Sequence, residues 1–213
     1  VRALVTDIEG TTTPVTFVKD VLFPYARARL PAYVRSRPDD ADVRALVAQT
    51  GSEDAALAQL LAWMDADAKV TALKAIQGTL WAAGYADGSL RAPVYPDVTP
   101  ALRAWRAAGT TLAVFSSGSV PAQHLLFGHT TEGDLRPLFS GWYDTTVGSK
   151  REAAAYHAIA ADLRAPPAEV TFLSDVEAEL DAAAAAGWVT VLVARDGQAP
   201  SGRHRVVASF AEL

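Results

Sequence analysis

Apolar residues along this chain fall into two kinds of run. The first kind is short and stops abruptly on polar residues. Residues 2–6 (Arg-Ala-Leu-Val-Thr) lead into Asp7, Thr111–Phe115 into Ser116-Ser117-Gly118, and Val170–Leu173 into Ser174-Asp175. Trp188–Ala194 and, more weakly, Phe139–Asp144 have the same character. Short β-branched runs bounded by polar residues predict buried strands. Helical spacing fills the intervals: Pro100–Ala108, a helix from about Val120, Lys150–Leu163, and a helix through Ala186 that Gly187 ends. Strand and helix in alternation predict an α/β fold with a parallel sheet and helices on both faces.

The second kind of run fills residues 18–90. It is rich in Ala and Leu, with apolar positions at helical spacing such as Leu57, Leu60, Leu61 and Met64. Pro24, Pro31, Pro38 and Gly51 are expected to break it into short helices. Nothing in it reads as a strand. The predicted organisation is an α/β core from residues 1–15 and 94–213, with an all-helical cap of residues 16–93 inserted after the first strand. Val94–Pro100, marked by two prolines, is the return from the insertion.

Composition narrows the functional classes. Half of the 213 residues are hydrophobic and a fifth are charged, which suits a packed core and not a disordered chain. The net charge of -5 argues against a nucleic-acid partner, which would need a basic stripe. The absence of cysteine excludes disulfides, thiolate metal sites and thiol catalysis. No stretch approaches the roughly 18 consecutive apolar residues of a membrane span, and the chain opens on a strand without a charged-then-apolar leader. A cytoplasmic protein without a membrane partner is the expectation. His124 and His129 are five apart, so they do not share a helix face as paired zinc ligands would.

Polar residues at strand ends carry the chemistry. In a parallel sheet, ligands bind outside the carboxyl ends of the strands. Asp7-Ile8-Glu9-Gly10-Thr11, Ser116-Ser117-Gly118 and Ser174-Asp175 stand at such ends, and Lys150 lies in a loop that can reach them. A carboxylate can attack phosphorus and form an aspartyl-phosphate. Attack by one anion on another needs charge neutralisation, which a magnesium ion with oxygen ligands supplies. Asp7 and Asp175 offer carboxylates, and Glu9 a backbone carbonyl. The Ser116 hydroxyl, the Ser117 amide and the following helix N-terminus suit phosphate oxygens, and Lys150 adds a point charge. Glu9, two residues past Asp7, can protonate a leaving oxygen and later activate water. Taken singly, each residue has a plainer reading: a turn aspartate, a loop serine, a solvated lysine, an N-cap aspartate. Their combination is what carries the chemistry.

These four clusters, in this order, resemble the four motifs of the haloacid dehalogenase superfamily. The first motif there is usually Asp-x-Asp, whereas this chain has Asp-x-Glu. The longer run from Asp7 to Tyr25 (Asp-Ile-Glu-Gly-Thr-Thr-Thr-Pro-Val-Thr-Phe-Val-Lys-Asp-Val-Leu-Phe-Pro-Tyr) closely resembles the enolase-phosphatase (acireductone synthase) family. Matching stretches follow at Thr71–Gly78, Trp81, Ala83–Tyr85, Tyr95–Val98, Ser116–Val120, Leu125–His129 and Phe172–Asp175. The resemblance implies a HAD-like Rossmannoid three-layer core with a helical cap. It implies a catalytic pair Asp7 and Glu9; a site with one Mg2+ per subunit at Asp7, the Glu9 carbonyl and Asp175; and phosphate held by Ser116, Ser117 and Lys150. Glu179 fits the second acid of the fourth motif, behind the metal ligands. The implied reaction converts 2,3-diketo-5-methylthiopentyl-1-phosphate to acireductone and phosphate in methionine salvage, in a monomer acting on a small phosphorylated molecule. The tryptophans read as core by default, with Trp81 and Tyr85 as candidates for the methylthio tail and Lys74 and Gln77 for the diketone. Phe17 and Phe23 are weaker candidates of the same kind. The base for enolisation, Glu9 or a group of the insertion, stays open.

Other readings compete. One is a HAD-type phosphatase for another small phosphate ester. A metal-free dehalogenase would leave Glu9 and Asp175 without purpose. A receiver-like phospho-Asp signalling module also uses Asp, Ser/Thr and Lys, but its acceptor follows a later strand and it has no large helical insertion. A binding module without catalysis is disfavoured because every expected motif residue is present.

Overall fold

The computed structural model describes residues 1–68, 70–195 and 202–213. It divides into two compact units, Val1–Val15 with Arg91–Leu213, and Thr16–Leu90. In the first unit six strands form one parallel sheet: β1 (Ala3–Thr6), β2 (Thr111–Phe115), β3 (Gly141–Tyr143), β4 (Val170–Ser174), β5 (Val189–Val193) and β6 (Arg205–Val207). Their spatial order is β3-β2-β1-β4-β5-β6. The chain steps outward from β1 to β2 and β3, then returns to the other side of β1 with β4. That reversal makes β1 the central strand at the topological switch point.

Strand alternation sends every second side chain to one face. Val5, Phe115, Phe172 and Leu192 pack on one face against Tyr156 and Ile159 of helix α7 (Ala153–Asp162) and Leu180 of α8 (Glu177–Ala185). Residues of the opposite parity, such as Leu4, Leu112, Val114 and Val191, are buried on the other face. There β2 meets α5 (Val98–Ala107), which buries Val98 and Leu102. The core is therefore a three-layer HAD-like Rossmannoid arrangement.

The second unit is wholly helical among its described residues. A π-helical turn (Phe17–Leu22) leads into α1 (Phe23–Ser36), α2 (Ala41–Thr50), α3 (Glu53–Asp65) and α4 (Thr71–Ala86). Ala26, Leu30, Val43, Leu60, Leu73 and Ile76 build its own core. Gly51 ends α2 with φ +93°, and Pro38 follows the end of α1, as the sequence suggests. Pro31 departs from expectation: it lies inside α1 and does not break it. An internal proline costs a helix about 3 kcal/mol. The buried side chains that surround it, Ala26, Leu30, Tyr33 and Val34, offset that cost by packing.

Other boundaries shift. Lys150 precedes α7, which starts at Ala153, so the expected helix Lys150–Leu163 is shorter by its first turn. The helix expected at Pro100–Ala108 begins at Val98 and takes Pro100 into its first turn, where the missing amide hydrogen costs nothing. Strand β6 was not expected. No described helix is long and apolar enough to cross a membrane.

Candidate active site

The chain leaves β1 at Asp7, whose side chain is 6% exposed, and curls at once into a tight loop. The Ile8 carbonyl accepts the amides of Thr11, Thr12 and Thr13 at 3.2, 2.9 and 2.9 Å, and the Thr12 hydroxyl at 3.1 Å. Gly10 makes this curl possible: its φ is +77°. Its missing side chain also makes room, since a Cβ there would lie 2.2 Å from Oδ2 of Asp175. The loop after β1 and the loop after β4 thus touch at a point where only glycine fits.

One cation ties the end of β1 to the helix after β4. Lys150 Nζ lies 2.8 Å from Asp7 Oδ1 and 2.7 Å from Glu179 Oε2, and its side chain is only 7% exposed. Its backbone carbonyl accepts the Tyr156 hydroxyl at 2.7 Å, which anchors the main chain at this position. The plain reading of Lys150 as a solvated helix-start residue therefore fails. Asp7 Oδ1 also accepts the Ile8 amide at 2.7 Å. Oδ2 is less engaged, with the Ser174 hydroxyl at 3.4 Å. Ser174 also lies 3.1 Å from Glu179 Oε2 and accepts the Val176 amide.

Burial controls the acids. It pushes Glu9 above its ordinary carboxyl range, and the neighbouring Asp7 charge pushes the same way. The same two causes, in the same order, raise Asp175 to about 6 and Glu179 to about 7, with Lys150 opposing. Burial alone would lower Lys150, but Asp7 and Glu179 more than offset it and hold the ammonium charged. Several carboxyl groups thus converge on one rim, with the buried Lys150 ammonium among them.

Ser116 lies fully buried at the end of β2 and approaches Glu9 Oε2 at 3.4 Å, while its oxygen accepts the Gly118 amide at 3.1 Å. Ser117 beside it is exposed. Helix α6 (Val120–Gly128) follows, but its first amides are already engaged. Val120 donates to Asp144 Oδ2 at 3.0 Å and Ala122 to the Ser119 hydroxyl at 3.4 Å. The helix terminus expected to face phosphate therefore spends these donors internally.

The donor set fits a divalent cation on one specific ground. Among the described residues Asp175 Oδ1 is buried with no hydrogen-bond partner, and its carboxylate feels the Asp7 charge. A buried orphan carboxylate oxygen beside a second carboxylate is costly unless a cation satisfies both. Among the described residues no three His, Cys, Asp or Glu side chains cluster as ligands. Two carboxylates and one carbonyl need no such cluster, and magnesium usually keeps water in its remaining positions.

Sequence reading placed Asp7, Glu9, Ser116, Ser117, Lys150 and Asp175 at or near one rim, and the structure gathers them in the first unit. It passed over two features. Ser174 stood in a named cluster without a role, yet it lies between Asp7 and Glu179. Arg195 directly follows a strand, the same signal that marked Asp7, and its side chain reaches the Thr11 carbonyl. Trp81 donates its indole N–H to the Leu22 carbonyl at 2.9 Å, while Tyr85 and Gln77 are buried within the helical unit.

Comparison with known proteins agrees with this arrangement. The haloacid dehalogenase-like hydrolase family model matches residues 1–187. Enolase-phosphatase E1 of Methylococcus capsulatus is 50% identical, with 99% of this chain and 96% of that protein aligned. Enolase-phosphatase E1 of Sorangium cellulosum is 53% identical over 100% of this chain and 97% of its own length. Among solved structures, the UTR4 protein of Saccharomyces cerevisiae superposes with a TM-score of 0.86 at 36% identity, covering 100% of this chain and 99% of that one. Relatives of such identity over nearly their full length settle the question of kinship, and the chain belongs to the enolase-phosphatase E1 family of haloacid dehalogenase-like hydrolases.

Proposed function

We propose that this enzyme is a magnesium-dependent phosphatase that converts 2,3-diketo-5-methylthiopentyl-1-phosphate to acireductone and phosphate in methionine salvage, through an aspartyl-phosphate on Asp7. The observation that carries the reading is the Asp7–Lys150–Glu179 ion-pair chain at the end of the central strand, with the orphan Asp175 oxygen beside it. A magnesium ion held by Asp7, the Glu9 carbonyl and Asp175 would supply charge neutralisation for phosphate.

For the phosphoryl transfer that follows enolisation of the diketone, this chain's residues do the rest. Lys150 pairs with Asp7 Oδ1 and presents positive charge to the incoming phosphate. Ser116 and Ser117 hold phosphate oxygens. A carboxylate oxygen of Asp7 forms the new O–P bond as the ester O–P bond breaks. Glu9, whose carboxyl burial and the Asp7 charge push above its ordinary range, gives its proton to the leaving oxygen. The resulting Glu9 carboxylate then takes a proton from water as that water attacks phosphorus and frees Asp7. Glu179 and Ser174 orient Lys150 and Asp7 from behind. The helical unit acts as the cap and supplies specificity for the carbon chain. A monomeric state and a cytoplasmic location belong to the same proposal.

The test is magnesium-dependent phosphate release from the diketone phosphate, abolished by EDTA and by Asp7→Asn. Turnover by Asp7→Asn near the wild-type rate would refute the nucleophile assignment. Release from a broad range of phosphate esters, with no preference for the diketone, would favour a general phosphatase of the same superfamily.

A further inference from the structure

Arg195 stands at the carboxyl end of β5, and its guanidinium is 7% exposed. Nη1 donates to both carboxylate oxygens of Asp97, each at 2.8 Å. Nε and Nη2 together donate to the Thr11 carbonyl at 3.2 and 3.0 Å. The plane lies over the rings of Tyr95 and Phe210, with centroids 4.3 and 5.1 Å away. Asp97 is held in turn by the Phe210 amide at 2.6 Å. One residue further along the loop, the Thr12 carbonyl accepts the Tyr95 amide at 3.0 Å.

Two consecutive carbonyls of the loop after Asp7 are thus gripped from outside. The loop's internal bonds converge on Ile8 and fix its curl. They do not fix how the curl is turned on the sheet. The Asp7 amide on the Leu173 carbonyl and the Asp7–Lys150 ion pair hold its start, and the bonds to Thr11 and Thr12 hold its far end. A buried ion pair is a weak source of stability, because desolvation offsets the attraction. What a planar guanidinium supplies, with its Nε–Nη2 edge on Thr11 and its Nη1 on Asp97, is fixed geometry. We propose that Arg195 and Asp97 form a positioning clamp that sets the orientation of the loop from Asp7 to Thr13, and with it that of Glu9. The inference rests on the proposed phosphoryl transfer for its kinetic consequence. Arg195 is a positioning residue, since it acts through the Thr11 carbonyl.

The test compares the wild type with Arg195→Lys, Asp97→Asn and the double variant. Lysine keeps the charge but has no planar fork, so it cannot serve Asp97 and Thr11 together. Each single variant is expected to lose about a hundredfold in kcat on the diketone phosphate, the cost of a misplacement of about an ångström, with KM little changed. The double variant should be no worse than the poorer single, because the pair acts as a unit. Hydrogen exchange of the residue 8–13 amides, read without substrate, should quicken by about tenfold in both singles. Folded content is measured alongside by circular dichroism. Wild-type kcat in both singles, or activity that falls only in proportion to folded content, overturns the clamp, as does unchanged exchange. A wild type that does not turn over the diketone phosphate overturns the functional reading instead, and exchange alone then decides for or against the clamp.

Discussion

Gly10→Ala separates the geometry of the site from the stability of the fold. At φ +77° an added Cβ incurs left-handed backbone strain of about 1–2 kcal/mol. For a chain of this length that lowers the melting temperature by about 2–8 °C. The Cβ would also meet Asp175 Oδ2 at 2.2 Å and Cγ at 2.6 Å, distances that side chains essentially never adopt. The Asp175 carboxylate must swing away, and a displacement of about an ångström at a reacting centre costs roughly a hundredfold in rate. The assay is phosphate release against magnesium concentration, with thermal melts in EDTA. Gly109→Ala is the matched control in the same unit: its φ is +86°, yet a Cβ there meets nothing within 4 Å. Both variants should melt lower by similar amounts. Only Gly10→Ala should lose activity and need more magnesium. Wild-type turnover and magnesium dependence in a folded Gly10→Ala protein would refute the contact between the two loops as a requirement of the site.

Three further outcomes are expected. Glu179 holds its proton to about pH 7 when folded, against 4.5 ordinarily, so unfolding releases a proton between those values and stability in EDTA falls as pH rises through that window; Glu179→Gln should flatten that slope in pH-dependent melts. Lys150→Met strips the buried cation from between Asp7 and Glu179; it should cost about 3–5 kcal/mol above neutral pH, recover part of that in acid where the carboxylates protonate, and abolish turnover. Glu9→Gln can neither give nor take the proton and should lower kcat by about 10²–10⁴, while Mg2+-dependent phosphorylation of Asp7 remains detectable in quenched samples.

Strand ends were the legible part of the site. Asp7, Ser116 and Asp175 each follow a buried apolar run, and sheet geometry alone brings such residues to one rim. Lys150 was legible as a candidate but not in its state. Its ammonium sits over the rings of Phe115 and Phe172 and between two acids from other elements, which no local pattern encodes. Pro31 misled because local propensity forbids it inside a helix, while the packing of Leu30 and Val34 tolerates it. Strand β6 was silent because Arg205-Val206-Val207 is a three-residue edge strand with two exposed positions, too short for alternation to register. Arg195 and Asp97 are 98 residues apart, and their pairing is a property of the fold.

The most direct test of phosphoryl transfer through Asp7 is to quench the enzyme during turnover of the diketone phosphate and map the protein by mass spectrometry. The expected result is one added phosphoryl group on the peptide that contains Asp7, present with magnesium and absent with EDTA. Steady product formation with the phosphoryl group on a different residue would contradict it, as would turnover with no phosphorylated peptide under conditions that trap an acyl phosphate.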